Sequence, residues 1–434
     1  MVCFSTFFFL FLQISKNSQV VLDFKPHIVY TELIGFTKSP DVFGLYPPER
    51  RREEEARVKI LLIIDQFDND NNGTTISARR FADTLRRHGN EIRVVCTGED
   101  REDKYAVREF RVPIFDGLIK SQGMCFARPN KTTLEEAVRW AEVVHFLMPF
   151  PLSIEGEKVA VQLGVPHTAA FHVQPENITS SIGLGNARGI NKAIYQGFKT
   201  IFYNKFTHIH CPSQFIASQL EKNGYTAKLH VISNGIDSDF VYRKKDKSPE
   251  LQGKIVILMI GRLSAEKRQD VLIDAIDRCA HRDQIQLVLA GQGPKREALL
   301  GRAKKLPNPP IVRFFPKAEL LDILAMSDLY VHAADVEIEA ISCMEAFASG
   351  LVPIIANSPK SATPQFALDD RSLFRAGDSN ELAEKIDYWL DNPEERRRME
   401  HRYAEHGRAY DIDHCVSQIE DMFREAIAEN RAVS

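Results

Sequence analysis

Two apolar strands, each ending in a glycine turn and continuing as a helix, constrain the fold of this chain most strongly. The first unit runs from Ile257 to Ile276, and its strand ends at Gly261. The second runs from Leu287 to Leu299, where glycines interrupt the strand before the helix. Continuous apolar strands are typical of parallel sheets that are buried on both faces. Each turn therefore lies at the carboxyl end of a strand, where α/β sheets bind their ligands.

A third unit carries two glutamates, Glu337 and Glu345, with seven residues between them. The strand Leu329–His332 precedes them, and Gly350 ends the helix that follows. The spacing predicts one carboxylate in the strand-to-helix loop and the other in the first turns of the helix. The helix N-terminus between them offers backbone N–H groups to an anion. A sugar nucleotide needs two carboxylates and a helix N-terminus of this kind. From the spacing alone, however, two solvated glutamates are the simpler interpretation.

The length of 434 residues suits two domains of Rossmann size better than one core. We expect an extension over residues 1–57, with an apolar start that is too short to span a bilayer and then a charged linker. The first domain is predicted over 58–240, because an apolar strand begins at Val58 and an Asn234-Gly235 turn precedes its end. The second domain is predicted over 241–410.

Charge and cysteine usage exclude several classes of function. The net charge of −3 gives no basic field for nucleic acid, so no nucleic-acid partner is expected. Seven dispersed cysteines without a CxxC pair indicate reduced thiols in a cytoplasmic protein, with the inner face of a membrane as an alternative place. The loop Asp68–Gly73 resembles half of a calcium loop, but Arg79 stands where the bidentate glutamate belongs. We therefore expect no metal and no other cofactor.

Four ordered motifs resemble those of the family 4 glycosyltransferases, which are retaining enzymes of the GT-B superfamily. They are Gly261-Arg262-Leu263, Glu266-Lys267, Gly291-Gln292-Gly293-Pro294 and the Glu337/Glu345 pair, within a resemblance that covers roughly 58–425. The resemblance implies an α/β GT-B fold, in which two Rossmann-like domains face each other across a donor-binding cleft. It also implies that a C-terminal helix, 411–434, crosses back to the first domain.

The same resemblance implies a hexosyltransferase. It would move a hexose from a UDP- or GDP-linked donor, UDP-glucose or a similar one, with retention of configuration. The acceptor would be an unidentified glycolipid, cell-envelope saccharide or exopolysaccharide precursor. A sugar-nucleotide epimerase of the same fold and a non-catalytic GT-B partner subunit are the alternatives. Without a metal, fixed cations and N–H groups would stabilise the departing diphosphate.

The resemblance also assigns roles to individual residues. Glu337 would hold a hydroxyl of the transferred sugar, and Arg262 and Lys267 would hold the diphosphate. His172 follows a strand of the first domain and would lie near the donor sugar, with a structural role as its alternative. The donor nucleotide would be bound by Gly73, Arg262, Lys267, Gly291, Gly293, Ile341, Ser342 and Glu345.

Two features leave alternatives open. Ile338-Glu339-Ala340 stands where relatives usually have Gly-Phe-Gly, and Glu339 is either an additional sugar contact or a solvated residue. The segment Ile190–Phe206 interleaves apolar residues with lysines at helical spacing. Such a stripe is typical of a peripheral membrane contact or, alternatively, of a helix packed on the core.

Overall fold

The computed structural model describes residues 57–68, 73–111, 125–181 and 187–433. The predicted extension therefore lies outside the described residues, apart from its last residue. Residues 69–72, which include most of the partial calcium loop, lie outside them as well. The described end of that loop, Asp68, accepts hydrogen bonds from Arg101 at 2.9 Å and from Lys104 at 2.5 Å.

The first half of the chain builds a parallel sheet that has seven strands among the described residues, in the order β3-β2-β1-β6-β7-β8-β9. Its central strands are almost completely buried, as their continuous apolar runs predict. A short antiparallel pair, β4-β5, lies apart from this sheet. The strands of the first half are β1 Lys59–Ile63, β2 Glu91–Thr97, β3 Lys104–Val107, β4 Glu109–Phe110, β5 Phe126–Ala127, β6 Val143–Phe146, β7 His167–Ala170, β8 His208–Cys211 and β9 Lys228–Val231.

Helices connect most of these strands, as parallel strands require a crossover that is long enough to return to the same edge of the sheet. They are α1 Gly73–Arg87, α2 Lys131–Trp140, α3 Pro151–Leu163, α4 Pro175–Ser181, α5 Arg188–Ile201 and α6 Gln214–Lys222.

The second half builds another parallel sheet, with six strands in the described part of the chain and the order β12-β11-β10-β13-β14-β15. The strand order reverses between β10 and β13, so their carboxyl ends open a crevice for a ligand. The strands are β10 Ile255–Ile260, β11 Ile285–Ala290, β12 Ile311–Arg313, β13 Leu329–His332, β14 Pro353–Asn357 and β15 Leu373–Arg375. The helices are α7 Gln269–Arg278, α8 Arg296–Ala303, α9 Lys317–Met326, α10 Ile341–Ala348, α11 Ser379–Asp391, α12 Pro393–Gly407 and α13 Ile412–Val433. The prediction of two Rossmann-like domains is confirmed.

The last helix, α13, returns to the first sheet. Its buried residues recur at helical spacing and join the core of the first half. A backbone bridge between Ile236 and Asp411 holds the start of this return. The buried residues of α13 in that core are Ile412, Cys415, Val416, Ile419, Met422 and Phe423.

The segment Ile190–Phe206, for which membrane contact and core packing were the two alternatives, packs in part on the core through α5 and the turn after it. Phe198 and Phe202 are 1% and 0% exposed, and the ring of Phe202 packs on that of Phe206 with centroids 4.7 Å apart. Lys205 donates to the buried carboxylate of Glu157 at 2.6 Å. The aromatic part of the stripe is therefore core. Across the described residues, no helix combines the length and apolar character that crossing a bilayer requires.

Candidate functional site

Glu337 lies at the carboxyl end of β13, where its backbone pairs with Ser361. Its carboxylate accepts hydrogen bonds from the ammonium of Lys267 and, at 3.0 Å, from Nε2 of His332. Burial by itself would raise the pKa of this carboxyl, but Lys267 and His332 outweigh that effect and lower the pKa to about 2. The strand-to-helix loop therefore holds an ionised, nearly buried carboxylate in a fixed position.

Lys267 reaches Glu337 because two loops are tied together. Lys267 ends the short 3₁₀ turn Ala265–Lys267 after β10. The carbonyl of Glu266 accepts from the backbone N–H of Asp335 at 2.8 Å. Arg268 then takes a left-handed conformation, with φ of 55°, and donates to the carboxylate of Asp335 at 3.0 Å. His332 and Asp335 were missed by sequence reasoning, although a polar residue that ends an apolar strand was the available signal for His332.

Arg262 lies two residues beyond β10, on the loop that leads to this turn, and is half-buried. Its carbonyl accepts from the amide of Gln269 at 2.8 Å, which links the beginning of the turn to α7. The structure therefore fixes the backbone of Arg262 on the loop that also carries Lys267.

Two of the three predicted nucleotide-binding glycines, Gly291 and Gly293, allow the turns after β10 and β11 to pack closely. A Cβ on Gly291 would lie 2.0 Å from the carbonyl oxygen of Gly261. Gly293 has φ of 158°, and a Cβ there would lie 2.4 Å from the carbonyl oxygen of Leu263. Both glycines are thus required by backbone contacts within the protein, whatever ligand the turns hold.

We expect Gly291→Ala to destabilise the protein by about 1–3 kcal/mol, because overpacking against backbone cannot be relieved by a side-chain rotation. Gly301→Ala is the matched control, since a Cβ on this helical glycine of α8 meets no atom within 4 Å. The control should be neutral or stabilising by about 0.5–1 kcal/mol. Urea unfolding of both variants measures the difference, and equal stabilities would contradict the packing role.

Helix α10 places its N-terminus beside the end of β10. The hydroxyl of Ser342 donates to the carbonyl of Ile260 at 3.3 Å, and Ile341 is the first helical residue. Ala340, which precedes the helix, has φ of 71° and ψ of 63°. This left-handed conformation suits glycine and costs an alanine about 1–2 kcal/mol. Ala340 therefore holds a backbone conformation that glycine would adopt at a lower cost.

Glu345 lies on α10 and is buried between the two halves of the molecule. Its carboxylate accepts from the guanidinium of Arg80, on α1, at 2.9 Å. Burial raises the pKa of Glu345, and the Arg80 charge opposes this shift without reversing it. Arg80 also lies 3.5 Å from Asp237. Sequence reasoning missed Arg80, because 265 residues separate it from Glu345 and no motif contains it.

Gly73 starts α1, the helix that carries Arg80. A Cβ added at Gly73 would meet no atom within 4 Å among the described residues, so there is space for a side chain at this position.

His172 lies two residues beyond β7 and is 6% exposed. Its ring contacts His210 edge-on, with centroids 5.4 Å apart, and its Nε2 atom has no hydrogen-bond partner among the described residues. Burial, aided by His210, lowers the pKa of His172 to about 3. The imidazole is therefore neutral near pH 7, and its unpaired nitrogen suits a hydrogen bond with a neutral hydroxyl.

The loop between Glu337 and α10 contacts the first half of the chain. Ser213 donates to the carbonyl of Ile338 at 2.7 Å. Glu339 is 3% exposed, and its carboxylate accepts from the backbone N–H and side-chain amide of Asn234. The solvated interpretation of Glu339 is therefore wrong. The residue instead joins the loop to the turn that leads into the second half.

Burial raises the pKa of Glu339 to about 7, against an ordinary value of 4.5. Between these values the folded protein binds a proton that the unfolded chain has released, so stability falls as pH rises from about 4.5 to 7. We expect Glu339→Gln to flatten this part of the stability profile. Urea unfolding at pH 5, 6, 7 and 8 tests the difference from wild type. A difference that does not change with pH would contradict the assignment.

Two family models match the chain in succession. Residues 71–240 match the model described as Glycosyltransferase Family 4, and residues 241–406 match Glycosyl transferases group 1. A GDP-mannose-dependent alpha-mannosyltransferase of Mycolicibacterium smegmatis is 28% identical over 69% of this chain and 79% of that protein. An alpha-monoglucosyldiacylglycerol synthase of Streptococcus pneumoniae is 24% identical over 69% of this chain and 71% of that protein. An Anabaena protein solved in complex with UDP and glucose shares the fold, with a TM-score of 0.65 and 15% identity over 84% of this chain and 99% of that one.

Proposed function

This chain belongs to the family 4 type of GT-B glycosyltransferases, which are hexosyltransferases, and from that premise we propose that it transfers glucose from UDP-glucose to a hydroxyl of a membrane lipid. The transfer retains the anomeric configuration and needs no catalytic metal. GDP-mannose is the competing donor, because three of the relatives are named as GDP-mannose-dependent enzymes. The lipid acceptor is supported by the relative named as a glucosyldiacylglycerol synthase.

The proposal rests on the carboxylate of Glu337, which hydrogen bonds from Lys267 and His332 hold in place. With a pKa of about 2 it stays ionised and is too weak a base to activate a hydroxyl near pH 7. A fixed carboxylate is, however, a strong acceptor for hydroxyl hydrogens of a bound sugar. Glu337 therefore orients the hexose and does not take the proton of the acceptor.

The charges around Glu337 suit a departing diphosphate. Lys267 donates to the carboxylate, and Arg262 lies on the same loop after β10. The N-terminus of α10 adds N–H groups and the positive end of its dipole. Such preorganised donors stabilise the leaving group without a metal ion.

In the proposed step, the acceptor oxygen bonds to the anomeric carbon on the face from which the diphosphate leaves. The bond between that carbon and the phosphate oxygen breaks, and the departing phosphate accepts the acceptor proton. His172 satisfies its unpaired nitrogen with a hydroxyl of the transferred sugar, which explains a buried polar atom that would otherwise be costly.

A donor and acceptor screen tests the proposal. The full chain is given UDP-glucose or GDP-mannose, each labelled in the sugar, with vesicles that contain diacylglycerol, monoglucosyldiacylglycerol or cholesterol. We expect label from UDP-glucose in the lipid phase, an α-anomer by NMR, and unchanged rates in excess EDTA. Transfer from GDP-mannose alone would show that GDP-mannose, and not UDP-glucose, is the donor.

Other outcomes point away from a lipid transferase. Nucleotide release that no lipid increases above the donor-only rate would overturn the lipid acceptor. Conversion of the free donor into another nucleotide sugar would indicate an epimerase. Donor binding without turnover on any acceptor would favour a non-catalytic subunit.

A further inference from the structure

Two histidines and a glutamate meet on the face of the first sheet that α13 covers. His208 begins β8, His230 lies in β9, and Glu425 lies on α13. Nδ1 of His208 is 2.9 Å from Nε2 of His230, and the three possible ligand atoms all lie within 4.8 Å of one another. We propose that these side chains bind a divalent transition-metal ion such as Zn²⁺.

Sheet register brings the histidines together. In the parallel pair β8-β9, His208 stands opposite Lys228, and His210 stands opposite His230. Side chains two residues apart along a strand share a face, so His208 and His230 are diagonal neighbours on one face. The returning helix α13 then adds its carboxylates to the two imidazoles.

The hydrogen bonds made by the proposed ligands resemble those found around known metal sites. Nε2 of His208 lies 2.9 Å from the carboxylate of Glu429, which leaves Nδ1 to face His230 and the ion position. A carboxylate that accepts the second N–H of a histidine fixes the tautomer and strengthens the metal bond. Glu425 and Glu429 are one helical turn apart, so one face of α13 supplies both the ligand and its support.

The chemistry of the ligands selects the kind of ion. Two imidazole nitrogens and one carboxylate, with water in the fourth position, form a tetrahedral zinc set. Mg²⁺ and Ca²⁺ prefer oxygen ligands and would bind poorly. Nitrogen ligands in such a set are about 3.3 Å apart, so the histidines need to separate by a few tenths of an ångström. Binding of the ion would replace the hydrogen bond between the two rings, because each nitrogen that binds the metal must carry no proton.

The positive charge of Lys228 would repel a bound metal ion. Its ammonium contacts Glu425, and its side chain is 56% exposed, so it is free to swing into solvent when the ion binds. Removing this cation should therefore tighten metal binding, which distinguishes a metal site from a simple polar network.

The position indicates a role in stability and not in transfer. His208 is at the amino end of β8, whereas Ser213, beyond the carboxyl end, contacts Ile338 near the donor site. An ion at this site would cross-link β8 and β9 to α13 and would hold the returning C-terminal helix on the first half.

Isothermal titration of the chelator-stripped full chain with Zn²⁺, and with Mg²⁺ as the comparison ion, tests the proposal. We expect one equivalent of Zn²⁺ to bind and to raise the Tm. The affinity should fall at least 10-fold in His230→Gln and in Glu425→Gln, about 10-fold in Glu429→Gln, and rise in Lys228→Met. His281→Gln is the matched control, because His281 also contacts a carboxylate, that of Asp391, but stands outside the cluster.

Co²⁺ spectroscopy identifies the ligands. A d–d spectrum of a tetrahedral site with nitrogen and oxygen ligands, lost in His230→Gln, supports the proposal. A sulfur-to-cobalt charge-transfer band would place the ion on a cysteine and overturn it. Zn²⁺ binding that is absent in the wild type, or equal in the wild type and in His230→Gln, would overturn it as well.

Discussion

Lys267→Ala is expected to lower kcat/KM by about 100-fold or more. Loss of one preorganised donor to a developing oxyanion typically costs roughly 10²–10³ in rate. Affinity for the free nucleoside diphosphate should fall as well, because a charge-assisted contact to phosphate is lost. The variant also removes the cation that holds Glu337, so the nearly buried carboxylate loses its ion pair and keeps the hydrogen bond to His332.

Two controls separate the phosphate contact from this structural effect. Lys305→Ala removes a lysine of the same half that donates to the carboxylate of Asp274, and it should leave activity unchanged. The double variant Lys267→Ala with Glu337→Gln also removes the negative charge of Glu337, which Lys267→Ala leaves without its ion pair. The double variant should therefore regain stability without regaining activity. Steady-state rates and urea unfolding measure both. Near-normal turnover in Lys267→Ala, with the fold intact, would exclude Lys267 from the diphosphate site.

Glu337→Gln is expected to lower kcat by about 100-fold while changing donor KM little. Glu337 is assigned to the transferred sugar, where charge and ring geometry change, so its contact is stronger in the transition state. The resemblance implies that Glu345 binds the donor nucleotide, and we predict that its contact is with the ribose, which does not react. Glu345→Gln should therefore raise donor KM with little change in kcat, because ground state and transition state lose the contact alike.

A variant of Arg80 serves as the control for the Glu337→Gln and Glu345→Gln variants. Arg80→Met removes the guanidinium from Glu345 without touching the carboxylate. If Glu345 binds ribose directly, Arg80→Met should affect donor KM less than Glu345→Gln does. Calorimetry with UDP and GDP should show nearly unchanged nucleotide affinity in Glu337→Gln. The reverse pattern, with Glu337 governing nucleotide affinity and Glu345 indifferent to it, would mean that the donor is seated the other way round or elsewhere.

Much of the fold follows from local patterns in the sequence. The predicted strand Leu329–His332 has those bounds in the structure, and α10 ends at Ala348, two residues before Gly350, which was predicted to terminate it. Continuous apolar runs identify buried parallel strands, and the alternation of strand and helix then implies crossovers that place each turn at the carboxyl edge of a sheet. The location of the candidate site at these turns is therefore a consequence of sequence pattern alone.

The partners of the site residues depend on packing between distant segments. Lys267 and Glu337 are 70 residues apart, and Arg80 and Glu345 are 265 apart. Periodicity states which face of an element is buried but not which side chain of another element it meets. The glycines at 291 and 293 show the same limit, because their closest contacts are with the neighbouring turn.

Two further features show what the tertiary structure decided. From the sequence, Glu339 is either a sugar contact or a solvated residue, since nothing local reveals that Asn234 will bind it. The cluster of His208, His230 and Glu425 has no ligand motif, because its members come from two strands and a helix that returns from the end of the chain. The sequence determined the elements and the edge at which they present ligands, since these depend on interactions between residues close in the chain. Tertiary packing decided the charge pairs, the pKa of each carboxyl and the candidate metal site, because these depend on distances between residues far apart in it.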